Sequence, residues 1–274
     1  MNSKKSLDAD IASHSIIGIG EGSHGTKEYQ ILRTKLVQDI YHKFGSTNSI
    51  IVFIEEGYFR LKFFNSLPKT KFKDFVKIIA DADIYPFYKS IEFIILLYYL
   101  HKHQIPTFGM DIQNVPEDIS PINLLEEYVV KQNKKILAEM NNKQFNNLRK
   151  ISTKNIIKEI SKKYPNPKII ILAHNYHVSG YENFPGLRIA TYSEKGTVRV
   201  GNFVNGEFVG YTVEQFHYDY PVKKFTLVKT EPNDKRTFQN NSFVLSGEKY
   251  RFNKFDYIFM FPKTSAIKVL GNDE

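Results

Sequence analysis

GIGEGSHGTKEY, residues 18–29, is the stretch on which the fold turns. The run SIIGIG (15–20) that leads into it reads as a short buried strand. Thr26–Phe44 reads as a helix, because Tyr29, Leu32, Leu36, Val37, Ile40 and Tyr41 recur at helical spacing. Gly45 ends it, and SIIVFIEE (49–56) is a second buried strand. Strand, helix, strand in this order predicts a parallel pair. A turn that only reversed direction would need the glycines and nothing else, yet this one also carries Glu21 and His24.

The rest of the chain extends the pattern. Residues 58–80 are expected to be helical with a break at Pro68, and Pro86–His101 to form another helix. PTFGMD (106–111) reads as a third strand ending in Asp111, and KIIILAHN (168–175) as a fourth. Between them, residues 121–163 are polar and helix-patterned, which predicts a helical hairpin that could serve as a lid. Beyond the fourth strand the character changes. Asn205-Gly206 suggests a hairpin turn, and FTLVKT, SFVLS and FDYIFMF add short strands. The expectation is one α/β domain over residues 1–274: a mainly parallel sheet flanked by helices, a strand-rich C-terminal part and a helical hairpin insertion.

Composition narrows the function classes. The chain has 274 residues and no cysteine, which rules out disulfides, thiolate metal sites and a cysteine nucleophile. The first fifteen residues contain no apolar core of a secretory signal, and the longest apolar run falls short of a bilayer span. A cytoplasmic protein with no membrane partner is therefore expected. The net charge of +9 is mostly scattered lysine, without an arginine-rich helix or zinc-finger spacing, so no nucleic-acid partner is expected. Composition says nothing about oligomeric state.

Three strand ends share a feature: Glu21 and His24 follow the first, Glu55 and Glu56 end the second, and His174 and His177 follow the fourth. Ligands of parallel α/β sheets gather at the carboxyl ends of strands, so these groups converge on one rim if the strands are parallel. Each has a plainer reading. Glu21 could satisfy N–H groups of the following helix. One of the adjacent Glu55 and Glu56 would ordinarily point to solvent. Arg33 fits a rim position or a surface ion pair, and His101 and His103 look like a helix end meeting water. No GxSxG elbow, Walker A or HExxH motif is present.

The motif order resembles the erythromycin esterase family. The resemblance rests on Gly20-Glu21-Gly22-Ser23-His24-Gly25 after the first strand, Arg33 in the next helix and Glu55 at the second strand end. It continues with Gly109-Met110-Asp111, then Ala173-His174-Asn175-Tyr176-His177-Val178, and a late FDYIFMFPKT. It implies a hydrolase that opens an ester or macrolactone with water, with no cofactor and no required metal. In that reading His24 is the general base and Glu21 orients it or the water. His174, His177 and Arg33 stand near the carbonyl or its oxyanion, and Glu55 holds one of these cations. Ser23, Asp111 and Asn175 are assigned to substrate binding, the substrate being a small-molecule ester or lactone. Only 62 residues separate Asp111 from His174, and the chain has no tryptophan, so the substrate need not be a macrolide. Two alternatives use the same rim: a metal-dependent hydrolase, or a non-enzymatic protein that binds haem or an acidic sugar.

Overall fold

The computed structural model describes residues 3–46, 49–113, 115–116, 119–138, 144–180, 183–204, 207–217, 220–239 and 249–270. Among these residues the α-helices are α1 (Ser3–Ser13), α2 (Lys27–Phe44), α3 (Phe72–Asp81), α4 (Ile91–Lys102), α5 (Leu124–Ala138) and α6 (Gln144–Ser161). The main sheet contains β1 (Ile16–Glu21), β2 (Ser49–Gly57), β3 (Thr107–Asp111), β4 (Pro167–His174), β5 (Leu187–Val204), β6 (Glu207–His217), β7 (Thr226–Lys229) and β10 (Tyr257–Thr264). Its order is β3-β2-β4-β1-β5-β10-β7, with β6 paired to β5. Strands β3 through β10 along that path run parallel, and β6 and β7 are antiparallel additions. A separate two-stranded sheet joins β8 (Thr237–Gln239) and β9 (Lys249–Arg251). The fold is the mainly parallel α/β class that strand–helix–strand patterning predicts.

The central strands are apolar on consecutive residues because both faces are covered. Along β2, Ile50, Val52 and Ile54 enter the core under α1–α4, while Ile51 and Phe53 enter a second core under α5 and α6. Along β4, Ile170 and Leu172 take the first face and Ile169, Ile171 and Ala173 the second. This alternation decides what each strand-end residue meets. Ile17, Ile19 and Glu21 share the α2 face. Glu55 continues the Ile51–Phe53 series toward α6, and Glu56 goes the other way.

Several expectations need correction. The helix expected over 86–101 is a 3-10 turn (Pro86–Lys89) and then α4, whose N-terminus Ser90 caps by accepting a bond from Phe93 N at 3.3 Å. Residues 58–80 hold a 3-10 turn at Lys62–Ser66 and α3, with the break at Pro68. Helix α1 went unread because its apolar anchors are only Leu7 and Ile11. His101 does not meet water: it is buried, stacked on Phe75 at 5.1 Å and 3.1 Å from Thr70 Oγ1. The expected hairpin insertion is present as α5 and α6, which pack together. Strands β5 and β6 form the hairpin read from Asn205-Gly206, but that turn, like SFVLS (242–246), lies outside the described residues. No helix among the described residues is long and apolar enough to cross a membrane.

Candidate active site

Strand order β3-β2-β4-β1 places Asp111, Glu55, His174 and Glu21 on four neighbouring strands, and Glu21 is the register partner of His174. The rim groups fall into two clusters, each with one glutamate, one arginine and one histidine.

The first cluster comes from residues 21–33. Glu21 Oε1 accepts from His24 Nδ1 at 2.8 Å and from Arg33 Nη1 at 2.6 Å, and Gln30 Nε2 donates to its other oxygen. Glu21 and Arg33 are fully buried, whereas the His24 side chain is 32% exposed. With Nδ1 turned to Glu21, Nε2 is the His24 nitrogen left to take a proton. Phe87 stacks flat on the imidazole at 4.5 Å and 8°. Burial opposes the charge of Glu21, but Arg33 and His24 outweigh it and hold the carboxyl below its ordinary value. Burial likewise pulls His24 down, yet its bond to Glu21 and the charges of Glu21 and Glu55 leave it raised. Glycines let this turn fit. A Cβ on Gly25 would stand 1.9 Å from Arg199 O of β5, and one on Gly20 would stand 2.4 Å from Asn175 Oδ1.

The second cluster is assembled from distant segments. Glu55 Oε1 accepts from His177 Nε2 at 3.0 Å and lies 3.4 Å from Arg149 Nη2, and Oε2 accepts from the His174 backbone N–H at 2.7 Å. Arg149, on α6, also grips Asp111, with Nη2 2.5 Å and Nε 3.0 Å from Oδ2. Burial raises Glu55, but the bond and charge of His177, with His24 and Arg149, hold it well below the usual range. Tyr88 donates to the Glu55 carbonyl at 2.7 Å. His174 stands between the clusters. Its Nε2–H donates to Gly22 O at 3.2 Å, Nδ1 accepts from Tyr176 N at 3.4 Å, and its ring lies 5.7 Å from that of His24. Burial and the neighbouring His24 lower it, which favours the neutral ring.

The structure therefore brings together Glu21, His24, Glu55, His174, His177 and Asp111. Arg33, expected near the reacting carbonyl, instead lies behind Glu21, out of contact with solvent. Asn175 is likewise drawn into the scaffold: its side chain donates to Thr191 O at 2.7 Å and accepts from Thr191 N at 3.3 Å, locking β4 to β5. Ser23 bonds Thr26 within the turn. Glu21 meets side chains rather than helix N–H groups. Neither Glu55 nor Glu56 faces solvent. Glu56 is fully buried, accepts from Gly57 N and Tyr85 N at 2.6 Å each, and burial pushes it up to about 7. Arg149 was missed, since a single arginine in a lysine-rich helix carries no local signal. Phe87 and Tyr88 were hidden by reading residues 86–101 as one helix.

Among the described residues, no group of three or more His, Asp and Glu side chains is arranged to hold a metal ion. The rim carboxylates instead meet basic side chains: Arg33 and His24 at Glu21, His177 and Arg149 at Glu55, Arg149 at Asp111.

Fold and rim together define a mainly parallel α/β protein with paired Glu–His groups at the carboxyl edge of its sheet. No family model and no curated protein matches the chain. Solved structures do. A Bacillus cereus protein from structural genomics superposes with TM-score 0.70 at 16% identity, over 97% of this chain and 92% of the other. A protein described as a succinoglycan biosynthesis protein gives 0.61 at 12% identity, over 97% and 92%. A mutant erythromycin esterase in its open conformation gives 0.57 at 15% identity, over 99% and 95%. At such identities the likeness is one of fold.

Proposed function

We propose that this chain is a hydrolase that cleaves an ester or lactone with water activated by His24. The observation that carries the reading is the buried Glu21–Arg33 pair holding the Nδ1 side of a part-exposed His24. The fold shared with an erythromycin esterase supports it. His24 Nε2 takes a proton from water as the water oxygen bonds to the carbonyl carbon. Glu21 fixes the ring and stabilises the imidazolium that results. The proton then passes to the leaving alkoxide as the C–O bond breaks, giving acid and alcohol. A positioned base of this kind contributes about 10²–10⁴ in rate. His177 and Arg149, which line the groove at the rim, are the candidate donors to an oxyanion, and one well-aimed donor contributes about 2.7–4 kcal/mol.

The test is mass spectrometry of macrolactones, simple esters and acylated sugars incubated with chelator-treated wild type and with His24→Ala. Gain of one water with wild type alone is expected. Equal turnover by both proteins, or turnover only after metal is restored, would reject the reading.

A further inference from the structure

A groove of about 640 Å³ opens from the second cluster and runs along the α6 face of the sheet. At the rim it begins with Glu55, Arg149, Tyr176 and His177. Its floor is apolar, from Ile169 and Ile171 on β4 and Ile157, Phe184 and Met110 around them. It ends beside Tyr164 and Pro167, at the amino end of β4. Strand rise from Pro167 to His174 and helix rise from Arg149 to Lys162 both give a length of about 20 Å.

One wall is cationic. Helix α6 packs through Ser152, Ile156 and Ile160, which are buried. The adjoining stripe, one turn apart each time, is Lys150, Lys154, Lys158 and then Lys162, and all four line the groove. Every basic residue within α6 faces this groove, while its acidic residue, Glu159, stands off the lining and pairs with Lys162 at 2.6 Å. Lys154 and Lys158 are exposed. Glu55 and Asp111, the carboxylates at the rim end, both pair with Arg149, and Glu55 also with His177.

The groove sets a line of positive charge beside an apolar trough about 20 Å long, the pairing that a long-chain anion would match. We propose that the groove binds the long apolar chain of an anionic amphiphile, with its acidic groups along the lysine stripe and its ester at the rim. This rests on the hydrolase reading for the ester, but not for the chain-binding itself.

The test uses the His24→Ala protein, which binds without turnover, and a fluorescent probe, 11-(dansylamino)undecanoic acid. Saturable binding is expected, with displacement by laurate and far weaker displacement by acetate or dodecyltrimethylammonium. Charge reversal at two exposed positions, Lys154→Glu with Lys158→Glu, is expected to weaken the probe about tenfold. Affinity for neutral dodecyl maltoside should stay unchanged, and thermal unfolding will show that the variant is folded. No saturable binding, equal affinity for the cationic amphiphile, or an unaffected double variant would overturn the proposal. So would self-association abolished by the double variant, which would make a second copy the occupant. Chain binding without hydrolysis of any ester would sink the hydrolase reading alone. Hydrolysis with no chain preference would sink only this one.

Discussion

The two clusters on the rim contain the same three residue types and differ in how they are built. Glu21, His24 and Arg33 lie within one strand–turn–helix segment, and the Glu21–Arg33 contact is fully buried. Glu55, His177 and Arg149 come from three elements, Arg149 lying 94 residues from Glu55, and that arginine is 22% exposed. Their faces differ too: the first sits under α2, the second under α6 beside the groove. A local cluster can be made rigid by one helix, whereas a distributed one depends on how the hairpin α5–α6 docks. On the proposed reading the first supplies the chemistry and the second the contact with substrate.

The largest stability effect is expected from Arg33→Met, which leaves buried Glu21 without its arginine and with only His24 and Gln30 as partners. Such breaks cost about 3–5 kcal/mol, read as a fall in denaturant midpoint. Arg149→Met should cost less than that, because this arginine is 22% exposed and Glu55 keeps its bonds from His177 and the His174 N–H. Equal losses would erase the distinction between the clusters.

Glu56 belongs to neither cluster and gives the next effect. Its native pKa of about 7 exceeds the ordinary 4.5, so the folded state holds the proton more tightly. The stability this group adds is complete below pH 4.5 and is lost as pH rises through about 7. Glu56→Gln should flatten that decline and raise stability at pH 8 by up to about 3 kcal/mol. Denaturant titrations at several pH values will check it, and an unchanged slope would count against the assignment.

A smaller effect separates scaffold from substrate contact. Asn175→Ala removes both bonds to Thr191 and should cost about 1–3 kcal/mol of stability, with KM little changed. A large rise in KM at unchanged stability would return Asn175 to the substrate-binding set.

What could be read beforehand follows the same division. The parallel core strands announced themselves as apolar runs, because burial on both faces removes polar positions. The Glu21–His24 pairing was legible through the motif resemblance, since the residues alone also fitted Glu21 to the N–H groups of the following helix. Strand parity, counted from Ile51 and Phe53, would have chosen Glu55 over Glu56 for the α6 face. Arg149 could not be found this way, since its partners are set by helix docking across the sheet. Arg33 was placed on the right helix but at the wrong depth: the helix turns it beneath Glu21. Phe87 and Tyr88 were lost because Ser90 starts a new helix inside what reads as one periodic run.

The central claim is that His24 is the base. It is tested most directly by the pH dependence of kcat/KM for wild type and His24→Ala on any ester the wild type opens. Glu21 and Glu55 raise His24 above its ordinary 6.5, so the wild-type rate should climb with pH along a limb above that value as the neutral imidazole forms. His24→Ala should run about 10²–10⁴ lower and lack that limb. A variant that kept both the rate and the limb would show that another group activates the water.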